Sequence, residues 1–144
     1  AERASQFSAK VKDLTEWVSE SDFKPDVTTE IVTYHDACHL LRELGVSNEP
    51  RELVAQVSGV ELVEMADSDR CCGFGGLFSI KYPDISAAIL DEKITNIAAT
   101  GADVVVANDC GCLMHIRGAM NRRGLRQRAM HIAELLDEAM RSGR

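Results

Sequence analysis

The chain has 144 residues, 45% hydrophobic and 27% charged, with a formal net charge of −7 and five cysteines. That apolar content is enough for one packed core and excludes a disordered or low-complexity chain, while the acidic balance argues against nucleic acid as a partner. No apolar run approaches the ~20 residues of a transmembrane helix, and Ala1–Ser5 lacks the apolar stretch of a signal peptide.

An odd number of cysteines would leave one over from a pure disulfide framework, so the expected compartment is reducing and cytoplasmic. The missing initial Met suggests a piece of a longer protein. In chain order, Phe7, Val11, Leu14 and Val18 form one apolar stripe, predicting a first helix capped by Ser5, with Trp17 packed on the sheet. Ser21 to Glu30 contains Pro25 and reads as a loop, and Glu30 to Tyr34 as a short strand. Asp36 to Leu44 is predicted helical, stopped by Gly45, and Pro50 to Val57 forms a second short helix. Val60 to Met65 reads as a strand, and Asp67 to Tyr82 as a loop holding CCGFGG. Pro83 opens the longest helix, with Ala87, Leu90, Ile94 and Ile97 on one face and Gly101 past its end. Asp103 to Ala107 is a β-branched run suited to a strand covered on both faces. Gly111 to Asn121 is helical, Arg128 to His131 an edge strand, and Ile132 to Ala139 a final amphipathic helix. The alternation predicts an α/β domain with an open, mostly parallel sheet of about four strands flanked by helices.

The cysteines follow the predicted strands. Cys38 comes after the first, Cys71 and Cys72 after the second, and Cys110 and Cys112 after the third. In an open parallel sheet the loops leaving the carboxyl edge converge, so five thiols distant in sequence are expected to meet there. Thiolates are soft ligands that suit iron–sulfur clusters, zinc or Cu(I). Gly73, Gly75 and Gly76 let the backbone approach the sulfurs, and Arg70 supplies positive charge. Taken singly, each Cys is as well read as a small buried hydrophobe. Their grouping in a glycine loop and behind a buried strand argues otherwise. A Cys71–Cys72 vicinal disulfide is the expected product of oxidation if no cluster is bound.

The pattern Cys38-x32-Cys71-Cys72-Gly73-x36-Cys110-x-Cys112 resembles the cysteine-rich CCG domain. That domain occurs in the cysteine-rich subunit of heterodisulfide reductase, in iron–sulfur subunits of anaerobic glycerol-3-phosphate dehydrogenase and glycolate oxidase, and in lactate utilization protein A. The words YHDACHLLRELG, ELVEMADSDRCCGFGG, FSIKYPDIS, TGADVVVANDCGCLMHI and MHIAELL are similar above all to the last branch. The resemblance covers about Ile31 to Leu136. It implies an N-terminal helix and loop over 1–30 and a CCG domain over 31–144, the second of two cysteine-rich halves.

It further implies an iron–sulfur electron-transfer subunit of a cytoplasmic complex oxidising L-lactate to pyruvate with two partner proteins, not catalytic as an isolated domain. Glycolate oxidase-like and heterodisulfide reductase-like complexes are alternatives. The implied cofactor is a [4Fe–4S] cluster, non-cubane in one relative, held by Cys38, Cys71, Cys72 and Cys112. The family pattern ends in Cys-x-x-Cys; here its first position is Asp109 and Cys110 is shifted by one. Cys110 is therefore a less secure ligand, with Asp109 a substitute. His35 and His39 flank Cys38 and are minor ligand or proton-donor candidates. His115 and His131 are expected to bond locally. The basic stretch from Arg117 to Arg128 reads as a solvated surface, with a docking face for an acidic partner subunit as the alternative. A metal-free thiol–disulfide protein and a zinc module remain competing readings. No substrate-binding group is assignable; any small-molecule substrate is reached through the complex.

Overall fold

The computed structural model describes residues 2–21 and 26–142. Four parallel strands form one sheet in the order β2-β1-β3-β4. They are β1 (Asp26–Tyr34), β2 (Ser58–Leu62), β3 (Val104–Ala107) and β4 (Arg128–His131). The fold class and strand number agree with the alternating pattern of the sequence. β3 is buried along its whole length, as its unbroken valine run requires when both faces are covered.

The faces sort by residue parity. Val105 and Ala107 join a core with α5 (Pro83–Ala99) and α6 (Cys110–Arg122), through Leu90, Ile94, Ile97, Leu113 and Ile116. Val104, Val106, Val32 and Tyr34 join the opposite core with α3 (Asn48–Gln56) and α7 (Ile132–Ser142), through Leu53, Val54, Leu135 and Leu136. β1 thus connects to β2 through α3 on one face, and β3 to β4 through α6 on the other. The carboxyl ends of the adjacent strands β1 and β3 form a topological switch point, where an open α/β sheet leaves a crevice.

The N-terminal expectation fails. The stripe is split between α1 (Glu2–Ser8) and α2 (Leu14–Ser19). Asp13 starts α2 with a capping box: its carboxylate accepts from the Thr15 N–H, and Glu16 accepts from the Asp13 N–H at 2.7 Å. Ser5 lies inside α1. Phe7 and Trp17 remain 70% and 69% exposed, so Trp17 does not pack on the sheet. α2 is anchored by Asn108, whose amide donates to Asp13 at 3.1 Å.

Smaller differences are local. β1 begins at Asp26, so part of the predicted loop is strand; Pro25 lies outside the described residues. The segment after β1 winds as a π-helical turn, Leu40–Leu44, closed by Gly45 at φ 73°. The glycine loop ends in a short helix, α4 (Leu77–Lys81). On α5 the buried face is Ser86, Leu90, Lys93, Ile94 and Ile97, and Ala87 is exposed. No described helix is long and apolar enough to cross a membrane.

Candidate metal centre

Three loops meet at the switch point. His35 is the first residue beyond β1, and its N–H continues the ladder by donating to Val106 O at 2.9 Å. Cys72 comes from the glycine loop and Cys112 from the first turn of α6. Ligand atoms of His35, Cys72 and Cys112 all lie within 4.8 Å of one another, and all three residues are buried. The Sγ atoms of Cys72 and Cys112 are 3.1 Å apart.

α5 holds the cysteine loop in place by its backbone. Ser86 Oγ donates to Gly73 O at 2.7 Å, Lys93 Nζ to Asp67 O and Ser68 O at 2.5 and 3.2 Å, and Asn96 to Ala66 O at 2.9 Å. Gly73 has φ 85°, and a Cβ there would stand 2.6 Å from Ser86 O. Only glycine lets this loop pass so near the helix. Gly111 has a similar role on the α6 side, where a Cβ would strike the Phe74 ring at 2.7 Å. The loop after β1 is tied to the cysteine loop by the Asp36 N–H donating to Ser68 O.

A second tie runs through Arg51. Its guanidinium bonds Asp36 at 2.8 and 2.7 Å, Glu64 at 2.6 and 3.1 Å, and stacks over Tyr34 at 5.0 Å. Burial pushes the Asp36 carboxyl up, but its bonds and proximity to Arg51 more than reverse this and leave it below the usual carboxylate range.

The buried thiols share a proton. Cys72 is driven toward thiolate by the hydrogen bond from Cys112, against the desolvation of burial, with help from the His35 ring and the Phe74 N–H. Cys112 is driven the other way, because its hydrogen bond to Cys72 holds its proton, with burial and the negative charge of Cys72 adding to the rise. The pair therefore presents one thiolate readily and resists losing its last proton. Cys71 is only partly buried. Burial raises its thiol, while the Gly73 N–H, 3.3 Å from its sulfur, opposes that, and Cys72 and Cys38 add to the rise. Cys71 thus feels both Cys38 and Cys72, and Cys72 stands against Cys112.

His35 is the surprise of the site. It is 0% exposed, and neither Nδ1 nor Nε2 has a hydrogen-bond partner among the described residues. Its ring biases Cys72 by proximity without a well-aligned bond. Buried polar groups left unpaired are rare in folded proteins, and a pair of soft sulfurs beside an idle imidazole nitrogen is a donor set that suits a metal. From the sequence His35 is only one of two histidines near Cys38. Its place directly after a strand was the signal that it points into the switch-point crevice.

The other residues singled out in the sequence fall elsewhere. Cys110 is exposed and lines a groove with Met114, Arg117 and His131. Residues two apart on a helix face away from each other, so α6 brings Cys112, not Cys110, to the crevice. Asp109 caps α6, accepting from the Cys112 N–H at 2.7 Å, and its other oxygen lies 3.9 Å from His39 Nδ1. His39 is exposed. His115 bonds Ser86, and His131 bonds Asn108 O and accepts from the Ala133 N–H. In the basic stretch Arg117, Arg123 and Arg128 are engaged by Glu134, Asp91 and Glu30.

The closest thiol contact predicts the chemistry of oxidation. Air oxidation of the metal-free chain is expected to join Cys72 to Cys112, in place of the Cys71–Cys72 bond anticipated from the sequence, because their sulfurs already stand 3.1 Å apart. Peptide mass spectrometry after trapping of free thiols would show it; a dominant Cys71–Cys72 product would contradict the geometry.

A family model for the cysteine-rich domain CCG matches residues 32–117. Proteins called lactate utilization protein A are similar over nearly the whole chain: 40% identity over 98% of it in Halalkalibacterium halodurans, and 39% over 95% in Bacillus subtilis. The chain spans 59% of the length of each of these relatives. The matched segment begins inside β1 and ends inside α6, so it takes in all three loops that build the thiol crevice, and the chain belongs to the cysteine-rich CCG domain family.

Proposed function

We propose that this chain is an iron–sulfur electron-transfer unit in the oxidation of lactate or a closely similar 2-hydroxy acid, working with partner proteins in a reducing, cytoplasmic setting. The observation that carries this reading is the buried meeting of His35, Cys72 and Cys112 at the switch point, with Cys71 and Cys38 alongside. The lactate assignment is carried over from the name of the relatives. A cluster needs about four protein ligands. Cys38, Cys71, Cys72 and Cys112 would hold it, with His35 able to replace one thiolate, as imidazole does in some clusters. Cys110 and Asp109 are the poorest fit, one being exposed and the other occupied as a helix cap. A bound cluster would accept and release single electrons.

The chain's own residues supply the setting. The buried β3 and the two cores exclude water from the inner side, and Gly73 and Phe74 offer backbone N–H groups to sulfur. Hydrogen bonds of this kind raise a cluster's potential. α5 and Arg51 fix the loops from which the ligands project. A 2-hydroxy acid becomes a 2-oxo acid by giving up an electron pair and protons, so such a carrier needs a partner that handles the organic substrate.

The test is anaerobic reconstitution with iron and sulfide, followed by visible and EPR spectra of wild type and Cys72→Ser. Wild type is expected to show cluster absorption and a paramagnetic signal on reduction, and Cys72→Ser to lose most of both. Silent spectra from wild type would overturn the reading. One observation favours a second reading: the buried Cys2His triple also matches three of the four ligands of a zinc ion. Iron, sulfide and zinc analysis of protein purified without oxygen separates the two.

A further inference from the structure

Beside Cys71, on the outer side of the thiol row, a cavity of about 260 Å³ is lined by Arg42, Arg70, Cys71, Ile89, Lys93 and Asn96, with Glu92 at its side. Its charges are unbalanced. Arg42, on the π-helical turn, makes no ion pair among the described residues. Arg70 is shared between Glu92 at 2.9 Å and Asp67 at 3.4 Å. Lys93 is 2% exposed, and its ammonium donates to the carbonyls of Asp67 and Ser68, with no carboxylate bonded to it among the described residues. Burial works against the Lys93 ammonium, and Asp69, Asp36 and Asp67 stand near enough to act on it, so the cation left uncompensated at the cavity is Arg42.

We propose that this cavity binds a small monocarboxylate, its carboxylate held by Arg42 and Arg70 and its hydrocarbon part against Ile89, next to the Cys71 sulfur. Guanidinium groups match the planar, two-oxygen face of a carboxylate. The volume lies just below the usual range for small-ligand sites, about 300–1,000 Å³, which favours a molecule of few atoms. A dianion such as phosphate would face Glu92 and the neighbouring sulfurs with no second unpaired guanidinium to meet it. The site goes beyond the electron-transfer reading and does not need it, since every residue used belongs to the metal-free chain.

Two alkylating probes of nearly the same shape read the site directly. Iodoacetate and iodoacetamide react alike: the thiolate sulfur displaces iodide and forms a carbon–sulfur bond. They differ in carrying a carboxylate or an amide. Rates at Cys71 and at exposed Cys110 are measured on the reduced, metal-free chain by peptide mass spectrometry. At one pH the thiolate fraction cancels from the ratio of the two probes. The iodoacetate-to-iodoacetamide ratio is expected to be about tenfold higher at Cys71 than at Cys110, the worth of one charge-assisted contact. Arg42→Gln, which removes an exposed and unpaired side chain, is expected to bring the Cys71 ratio down to that of Cys110. L-lactate is expected to slow iodoacetamide at Cys71 and leave Cys110 unchanged. Equal ratios at the two cysteines, or an unaltered Cys71 ratio in Arg42→Gln, would overturn the site. Protection by inorganic phosphate equal to that by L-lactate would overturn the carboxylate assignment. Because neither iron nor sulfide is present, the outcome is independent of whether a cluster forms.

Discussion

Replacing His35 with leucine is expected to make the metal-free chain more stable, by about 1–2 kcal/mol, while lowering its metal affinity at least 10- to 100-fold. The sign follows from the two ring nitrogens. Each is buried without a hydrogen-bond partner among the described residues, and an unsatisfied buried polar atom costs about 1–3 kcal/mol. Leucine fills a similar volume with no polar atom, and volume-conserving core changes cost less than about 1.5 kcal/mol. The gain therefore exceeds the loss in the absence of metal. With metal, the change removes a nitrogen that stands within 4.8 Å of both buried sulfurs, and even the loss of an outer partner of a ligand costs 10- to 100-fold in affinity. Denaturant unfolding of the reduced apoprotein and competition with a chelator measure the two effects. If His35→Leu instead destabilises the apoprotein, the ring is held by structural bonds and its idle nitrogens do not mark a metal position.

This trade of stability for an idle ligand explains why the site was only partly legible in the sequence. The strands were readable because their burial is local in origin: VVVA can only be a strand covered on both faces, and its neighbours follow from alternation. The meeting of Cys72 and Cys112 followed from strand order, whereas the third member of the buried group is His35 and not the expected Cys38. Other features depend on distant partners. Lys93 and Ser86 are polar yet buried because carbonyls of the cysteine loop, thirteen or more residues away in sequence, receive their protons. No pattern within α5 reveals that. The break between α1 and α2 was signalled, by Asp13 three residues before Glu16, but the continuous apolar stripe overrode it. Cys110 shows the opposite case. Two residues apart on a helix, it and Cys112 differ by about 200°, so helix geometry already forbade both from facing one centre.

The Arg51 tie makes the strongest claim on stability. Arg51→Met is expected to cost about 3–4 kcal/mol and to lower Tm by about 10 °C, because it strands the Asp36 carboxylate, which is only 3% exposed. Around it stand Ser47, Ser68, Glu64 and His35, and none of these replaces a guanidinium with two bonds. The pH dependence tests the cause. In the wild type the folded Asp36 carboxyl is held below its unfolded value of about 3.9. The pair's contribution is therefore present above that pH and lost as pH falls through the lower, folded value. In Arg51→Met, burial acts unopposed by the guanidinium and the folded carboxyl rises above 3.9. Its effect reverses: stability is greatest below about pH 4 and declines as pH climbs toward the raised value. The gap between the two proteins thus widens from about pH 4 to neutrality. Adding Asp36→Asn to Arg51→Met removes the stranded charge and is expected to restore about half of the loss at pH 7. Parallel pH profiles, or no recovery in the double variant, would show that Arg51 acts by packing over Tyr34 alone. Because Asp36 also anchors the cysteine loop through Ser68, the single variant should weaken metal binding as well, whereas a tie confined to the surface would leave it unchanged.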